Sequence, residues 1–122
     1  MAPRSILIVD DHDDFRSWAR DLLEMQGYSV VGEAADGGSA IAAVRALRPE
    51  VVLLDVRLPD IDGFEVTRRL TGVGSDAAVV LVSSRDAGDF GGQLAASGAH
   101  AFITKAELSA AALEAVLTGR GG

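Results

Sequence analysis

The fold of this chain is decided by the stretch VVLLDVRLP at residues 51–59. The stretch begins with four large apolar residues, and such an uninterrupted run is typical of a strand buried on both faces of a parallel sheet. Asp55 follows the run directly. It would therefore lie at the carboxyl end of the sheet, where open α/β folds bind their ligands. Taken alone, Asp55 is equally consistent with a turn residue, so the rest of the chain must distinguish the two.

The length and composition indicate one globular domain. The chain has 122 residues, 48% of them hydrophobic and 24% charged, which is enough for a single core. Its formal net charge of -7 argues against nucleic-acid binding by this chain alone, because phosphate binding needs a basic face. The absence of cysteine excludes disulfides, thiol catalysis and Cys-ligated zinc.

The N-terminal segment carries no targeting or membrane signal. Only four consecutive apolar residues, at positions 6–9, precede two acids. This run is too short for the core of a signal peptide or for a membrane span. We therefore expect a cytoplasmic protein without membrane insertion.

Apolar runs and amphipathic stretches alternate along the chain. The apolar runs predict five strands that start near residues 5, 28, 51, 78 and 101. Apolar residues at helical spacing predict helices between them, the first from Asp13 or Asp14 to Met25. This alternation predicts a parallel sheet with right-handed crossovers and helices on both faces. The expected fold class is α/β, with a single doubly wound five-stranded parallel sheet flanked by five helices.

Four details of the helices are also predicted. Asp36-Gly37-Gly38 is expected to be a turn before the second helix. The first helix is expected to bury an apolar stripe that includes Trp18 and Met25. The glycine-rich segment 85–97 favours only a weak helix. The last helix is expected to include Leu108.

Polar or charged residues follow four of the five predicted strands. In chain order they are Asp10 and Asp11, Asp55, Ser83, and Lys105. Three carboxylates at one edge of a sheet would repel one another unless a positive group lies among them. Oxygen ligands without His or Cys select a hard cation, so Mg²⁺ is the expected cofactor. A carboxylate, a hydroxyl, an ammonium group and Mg²⁺ are the groups that phosphoryl transfer requires.

Each of these residues also has a purely structural interpretation. Asp10 and Asp11 could cap the first helix, and Ser83 could simply end a strand. Their occurrence together with Lys105 favours a site. The composition supports this, because the eleven basic residues are ten arginines and this single lysine, and a compact ammonium is not interchangeable with a planar guanidinium.

As a set, these residues resemble those of the receiver domain of two-component response regulators. The resemblance runs from ILIVDD at 6–11 through DVRLP at 55–59 and Gly63 to Ser83 and Lys105. It covers essentially the whole chain, so residues 1–122 are expected to form one receiver domain with a core of about 5–118. The resemblance implies a flavodoxin-like fold with strand order 2-1-3-4-5.

The resemblance implies chemistry at Asp55. This residue would accept a phosphoryl group from a sensor histidine kinase or a phosphotransfer protein. Asp11, Asp55 and the backbone carbonyl of Arg57 would bind Mg²⁺, and Asp10 would help to hold it through water. Lys105 would bind a phosphoryl oxygen. Transfer and slow autodephosphorylation would be self-catalysed, so the chain is not expected to be an enzyme in the turnover sense.

The resemblance also implies a switch. Ser83 would be the hydroxyl that moves toward the phosphate, with Phe102 as the aromatic residue that follows it, although a core role suits Phe102 equally well. A downstream effector protein would bind the face formed by the fourth helix, fifth strand and fifth helix. Arg57, Ser84 and Arg85 would modulate the site, and the two guanidiniums could hold the phosphoryl group and exclude water. A plain surface role for both arginines is the alternative.

Three alternative functions are considered. The chain could be the N-terminal receiver of a longer DNA-binding transcriptional regulator. It could be a Mg²⁺-dependent aspartyl-phosphate phosphatase, but such enzymes usually need a second acid two residues after the nucleophile, and Arg57 occupies that place. It could also be a receiver-like module that is never phosphorylated, which the intact acids, serine and lysine disfavour.

One position departs from the family pattern. Receivers usually have a proline after the lysine, joined through a cis peptide, whereas Lys105 is followed by Ala106. A non-proline cis bond costs about 3–4 kcal/mol. We therefore expect a trans peptide here.

Overall fold

The computed structural model describes residues 4–118, which contain a five-stranded sheet in the order β2-β1-β3-β4-β5. Every neighbouring pair of strands is parallel. The strands are β1 (Ser5–Val9), β2 (Ser29–Ala34), β3 (Val51–Asp55), β4 (Ala78–Ser83) and β5 (Ala101–Thr104). The predicted doubly wound sheet and its strand order are confirmed.

Helices connect the strands of this sheet. They are α1 (Asp13–Met25), α2 (Gly37–Leu47), α3 (Gly63–Gly72), α4 (Gln93–Ser97) and α5 (Ala110–Leu117), with 3₁₀ turns at Ala87–Phe90 and Lys105–Glu107. Across residues 4–118 no peptide bond is cis, so the Lys105–Ala106 bond is trans as expected. Within the same range, no helix combines the length and the apolar character that crossing a bilayer requires.

The central strand β3 is buried on both faces, as its apolar run predicts. Val52 and Leu54 belong to a core cluster that includes residues of α2 and α3. Val51 and Leu53 belong to a second cluster that includes residues of α1 and α5. All four side chains are at most 1% exposed. β3 is therefore packed between two helical layers, and only its end is available to carry a polar group.

The second helix begins earlier than the sequence predicts. Asp36 is the N-cap of α2, where its side chain accepts a hydrogen bond from Ser39 N at 2.7 Å. Gly37 and Gly38 lie in the first helical turn, so the predicted turn at these residues is wrong. A Cβ on Gly37 would overlap the Ile61 side chain. Glycine is needed here because the loop between β3 and α3, residues 56–62, packs closely against the helix.

The exposed face of α1 carries two residues that the sequence predicts to be buried. Ala19 and Leu23 are fully buried, whereas Trp18 is 47% exposed and Met25 is 82% exposed. Adjacent residues point about 100° apart on a helix. Trp18 therefore cannot face the sheet when Ala19 does, and the buried stripe is narrower than predicted.

The last helix begins later than predicted. Ser109 is its N-cap and accepts a hydrogen bond from Ala112 N at 3.0 Å. Leu108 therefore lies before α5, although its side chain is still buried in the second core cluster. The polar cap, and not the apolar pattern, determines where the helix starts.

The segment between β4 and β5 is only weakly helical, as predicted. It consists of the 3₁₀ turn Ala87–Phe90 and the five-residue helix α4. Gly91 separates the two with a φ of 56° and a ψ of -132°, and Gly92 precedes α4 without a side-chain cap. Most of the segment is exposed.

Candidate functional site

Three predicted site residues come together at the carboxyl edge of the sheet. Asp10 follows β1, Asp55 ends β3 and Lys105 follows β5. Val9 pairs with Leu54, so Asp10 and Asp55 come next on adjacent strands. Lys105 Nζ lies 2.7 Å from Asp10 Oδ2 and 3.5 Å from Asp55 Oδ2. The expected convergence of two carboxylates and one ammonium group is therefore present in the structure.

Asp10 is fully buried at this edge of the sheet. Its Oδ1 accepts a hydrogen bond from His12 N at 2.8 Å and lies 2.9 Å from His12 Nδ1. Its Oδ2 contacts the Lys105 ammonium at 2.7 Å and, within residues 4–118, has no further polar partner. Burial acts to raise the pKa of Asp10, but the contacts with Lys105 and His12 outweigh burial and lower the pKa below its ordinary value.

Asp55 ends β3 and is 4% exposed. Its Oδ1 accepts a long hydrogen bond of 3.3 Å from Arg57 N. Burial, followed by the negative charge of Asp10, raises the pKa of Asp55 to about 6, while Lys105 opposes this shift. At neutral pH the Asp55 carboxylate is therefore ionised but poorly solvated, and an added positive group would stabilise it.

The acidic residues at this edge fit a hard divalent cation. Asp10, Asp11, His12 and Asp55 each offer a ligand atom, and these atoms lie within 4.8 Å of one another. Three carboxylates and the one Lys105 ammonium leave two negative charges uncompensated when His12 is neutral. The Lys105 ammonium is shared between Asp10 and Asp55, so it cannot compensate both buried carboxylates. Oxygen donors of this kind suit Mg²⁺.

His12 contacts the acidic cluster although its side chain is 68% exposed. Its Nδ1 lies 2.9 Å from Asp10 Oδ1 and 3.1 Å from Asp11 Oδ1. The hydrogen bond with Asp10 and the charges of the two carboxylates raise the pKa of His12. The only sequence signal for this contact is the position of His12 directly after the two acids.

Arg16 supports the backbone at Asp10, a role that the sequence does not reveal. Its Nη1 donates to the Asp10 carbonyl oxygen at 2.5 Å, and its Nε donates to Glu33 Oε1 at 3.0 Å. Arg20 Nε donates to the other oxygen of Glu33 at 2.7 Å. The hydrogen bonds from Arg20 and Arg16 lower the pKa of Glu33. This network joins α1 and β2 beside the site.

Asp60 connects the loop after Asp55 to α2. Its Oδ1 accepts a hydrogen bond from Gly37 N at 2.8 Å, and its Oδ2 accepts one from Gly38 N at 2.9 Å. These two backbone hydrogen bonds lower the pKa of Asp60 to about 2. The contact spans 23 residues of sequence, and no local pattern indicates it.

The residues after β4 form a tight turn at the same edge. Ser83 is buried, and its Oγ accepts a hydrogen bond from Arg85 N at 3.1 Å. Ser84 is exposed. Arg57 and Arg85 are both exposed and line an open cleft of about 320 Å³. The two arginines therefore border one cleft, which is also lined by Val56, the residue after Asp55; their predicted effect on the site stays a prediction.

Phe102 is part of a row of three aromatic rings. It packs edge-to-face against Phe90, with 5.9 Å between the ring centroids. Phe90 packs in the same manner against Phe64, at 5.5 Å. Phe64 is buried at the start of α3, and Phe102 is only partly buried. The row links the β3 side of the site to β5 through the 3₁₀ turn Ala87–Phe90.

A comparison with known proteins places this arrangement in a family. Residues 6–117 match the model of the response regulator receiver domain. The response regulator GacA of Pseudomonas viridiflava is 40% identical over 101 residues, which are 82% of this chain and 47% of that protein. The chain thus spans about half the length of this curated relative.

Solved structures agree with this match. A LuxR-family two-component response regulator from Aurantimonas sp. SI85-9A1 is 35% identical, with a TM-score of 0.87 over 96% of this chain and 86% of that chain. A CheY-like receiver domain protein from Methanospirillum hungatei JF-1 is 26% identical, with a TM-score of 0.84 over 96% and 93% of the two chains. The chain belongs to the response regulator receiver domain family and is a receiver domain of two-component signal transduction.

Proposed function

We propose that Asp55 accepts a phosphoryl group from a sensor histidine kinase or a phosphotransfer protein and that this event controls a protein-binding face. One observation carries the proposal, namely that Lys105 Nζ lies between Asp10 Oδ2 and Asp55 Oδ2, at 2.7 Å and 3.5 Å. A single compact ammonium beside a buried carboxylate can contact a phosphoryl oxygen as soon as that carboxylate is modified. The proposal implies a cytoplasmic location.

The transfer uses the Asp55 carboxylate as a nucleophile. One carboxylate oxygen attacks the phosphorus of an N-phosphohistidine donor, so an O–P bond forms, the N–P bond breaks, and the electron pair returns to the donor imidazole. Lys105 stabilises the negative charge on a phosphoryl oxygen. Mg²⁺ held by Asp10, Asp11, Asp55 and the backbone carbonyl of Arg57 would supply further charge neutralisation.

Hydrolysis restores the acceptor. Water attacks the phosphorus of the acyl phosphate, the bond between phosphorus and the Asp55 oxygen breaks, and inorganic phosphate leaves. The carboxylate is thus modified and regenerated by groups of the same site. We therefore interpret the chain as a self-modifying phosphoacceptor and not as an enzyme that turns over a separate substrate.

The switch that follows involves Ser83 and Phe102. The Ser83 hydroxyl accepts a hydrogen bond from Arg85 N, so a movement of this hydroxyl toward a phosphoryl group would alter the turn after β4. Phe102 contacts Phe90 in the weakly helical segment before α4. A change at these residues would reach the face formed by α4, β5 and α5, where we place the effector. Short, exposed segments of this kind open at low free-energy cost.

The central experiment is intact-mass analysis after treatment with acetyl phosphate and Mg²⁺. We expect one phosphoryl adduct on the wild-type chain, its loss in EDTA, and none on Asp55→Asn. Beryllofluoride binding in the same buffer is the non-covalent counterpart. An unmodified wild-type chain would instead support the module that is never phosphorylated.

Arg57 and Arg85 are proposed to lengthen the life of the acyl phosphate. Both side chains line the same cleft, so they can hold phosphoryl oxygens and exclude the attacking water. We expect Arg57→Ala and Arg85→Ala to lose phosphate faster than the wild type. Arg68→Ala, on the exposed face of α3, is the matched control. Unchanged or slower decay in the first two variants would contradict this role and favour a plain surface role.

A second candidate is that the receiver operates as the N-terminal part of a longer DNA-binding regulator. The observation in its favour is that the chain aligns with 47% of GacA. Its own net charge of -7 does not suit DNA binding, so any DNA contact would come from other residues. The intact mass of the native protein distinguishes the two cases. Neither the family match nor the relatives support the phosphatase alternative.

A further inference from the structure

Lys105 is contacted by an aromatic ring as well as by the two carboxylates. Its Nζ lies 4.4 Å from the centroid of the Phe15 ring. Phe15 belongs to the first turn of α1, close to the acidic cluster, and its side chain is partly buried. Only 21% of the Lys105 side chain is exposed. The ammonium therefore contacts the ring as well as both carboxylates, and little of the lysine side chain remains exposed.

This contact affects how well the ammonium is ordered. Lysine carries its charge on a flexible four-carbon stem, so its position depends on the groups around the nitrogen. Asp10 draws the nitrogen to 2.7 Å, while Asp55 stays at 3.5 Å. The negative face of an aromatic ring attracts a cation and keeps water away from it. The Phe15 ring thus restricts the ammonium without forming an ion pair that a phosphoryl group would have to break.

A neighbouring side chain supports the ring itself. The rings of Trp18 and Phe15 lie 5.8 Å apart with an interplanar angle of 43°. Trp18 is 47% exposed, so it forms an outer layer over Phe15 and not a part of the core. Phe15 is therefore held from outside by Trp18 and faces Lys105 on its inner side.

We propose that Phe15 is a positioning residue for phosphoryl transfer, because its ring holds the Lys105 ammonium at Asp10 and Asp55, ready for a phosphoryl oxygen. The proposal rests on the phosphoacceptor role of Asp55 described above. The competing interpretation is that Phe15 only packs against the core. The positioning role and the packing role give different predictions for a residue that keeps the shape of the ring but attracts the Lys105 ammonium less strongly.

The first test observes Lys105 directly. Because the chain contains one lysine, labelling with ¹⁵N-lysine gives a single side-chain ammonium signal. In EDTA, we expect this signal to be visible in the wild type and in Phe15→Tyr, and to be broadened or lost in Phe15→Leu. Fluorination of the ring at position 15 alone weakens its attraction for a cation. With increasing fluorination, the Lys105 ammonium signal should therefore weaken stepwise, while the melting temperature of the protein stays the same. An ammonium signal that is the same in all of these proteins would overturn the proposal.

The second test measures the affinity for beryllofluoride in the presence of Mg²⁺. We expect Phe15→Leu to bind about three- to tenfold more weakly than the wild type, with the fluorinated proteins graded in between and Phe15→Tyr close to the wild type. Met25→Leu, an exposed residue at the far end of the same helix, is the control and should bind like the wild type. If Phe15→Leu does not fold, the fluorinated proteins decide the result.

The outcomes separate the two proposals. A wild-type chain that does not bind beryllofluoride would contradict the phosphoacceptor role of Asp55. A wild-type chain that binds it, together with fluorinated proteins of equal affinity, would contradict only the role of Phe15.

Discussion

Gly63 packs directly against Asp55, because a Cβ on Gly63 would lie 2.6 Å from the Asp55 carbonyl oxygen. The Gly63 N–H also donates to the Val56 carbonyl oxygen at 2.7 Å. The start of α3 is therefore in contact with the backbone of Asp55, the proposed phosphoacceptor. This explains why the sequence has a glycine eight positions after the aspartate, at the first residue of a helix where glycine is otherwise unfavourable.

Two glycine substitutions should differ in whether they can be rescued. Gly63→Ala pushes a methyl group into backbone, so we expect it to lower the free energy of unfolding by about 1–3 kcal/mol. Gly37→Ala should have an effect of similar size, but its overlaps are with side chains, mainly that of Ile61 and also that of Val66, so Ile61→Ala should relieve part of it. Urea denaturation of the single and double variants measures this. Strict additivity of Gly37→Ala and Ile61→Ala would contradict the explanation.

Asp60 should protect the first amides of α2. We expect Asp60→Ala to speed hydrogen exchange at Gly37 and Gly38, because it removes the acceptor of both N–H groups. The control is Asp62→Ala. Asp62 caps α3 by accepting from Glu65 N, so its removal should affect exchange at Glu65 and not at the two glycines. Exchange at Gly37 and Gly38 that does not respond to Asp60→Ala would contradict the contact.

Asp60 should also affect the acid stability of the chain. Its pKa in the folded state, about 2, is lower than the ordinary value of 3.8. At a pH above 3.8, the ordinary pKa, ionised Asp60 therefore stabilises the folded state. This stabilisation is lost as the pH falls through about 2. We expect Asp60→Asn to unfold at a higher pH than the wild type in an acid titration followed by circular dichroism. If the variant and the wild type unfolded at the same pH, the prediction would be contradicted.

The strands and the site carboxylates could be predicted because their signals are local. The run at 51–54 indicates a buried strand, and parallel topology then requires that Asp10, Asp55 and Lys105 meet at one edge. The contacts of Phe15 with Lys105 and of Asp60 with Gly37 could not be predicted, since they depend on how a helix and a loop pack and not on strand pairing. For the same reason, Gly37 resembles a turn residue until the packing of Ile61 is known.

Asp55→Asn should stabilise the chain in the absence of metal. The pKa of Asp55 in the folded state is about 6 and the ordinary value is 3.8, so between these values the folded state binds more protons than the unfolded state. Stability therefore falls as the pH rises through this range. We expect Asp55→Asn to raise the free energy of unfolding by about 1–3 kcal/mol at pH 7.5 in EDTA, with a smaller gain below pH 4.

The control for this prediction is Asp21→Asn, on the exposed face of α1. Urea denaturation at both pH values should show little difference between this variant and the wild type. If Asp55→Asn were less stable than the wild type, or if its gain did not depend on pH, burial would not be the cause of the raised pKa.

The contact of Phe90 with Phe102 should couple the 3₁₀ turn to β5. In a double-mutant cycle of Phe90→Leu and Phe102→Leu, we expect a coupling free energy of about 0.5–1.5 kcal/mol, which is typical of an edge-to-face aromatic pair. Beryllofluoride with Mg²⁺ should change this coupling, because a movement of Phe102 with Ser83 would alter the ring contact. The control cycle pairs Phe90→Leu with Phe15→Leu, whose side chains pack against different core clusters, so its coupling should be close to zero. A coupling that beryllofluoride leaves unchanged would show that Phe102 packs in the core and takes no part in the switch.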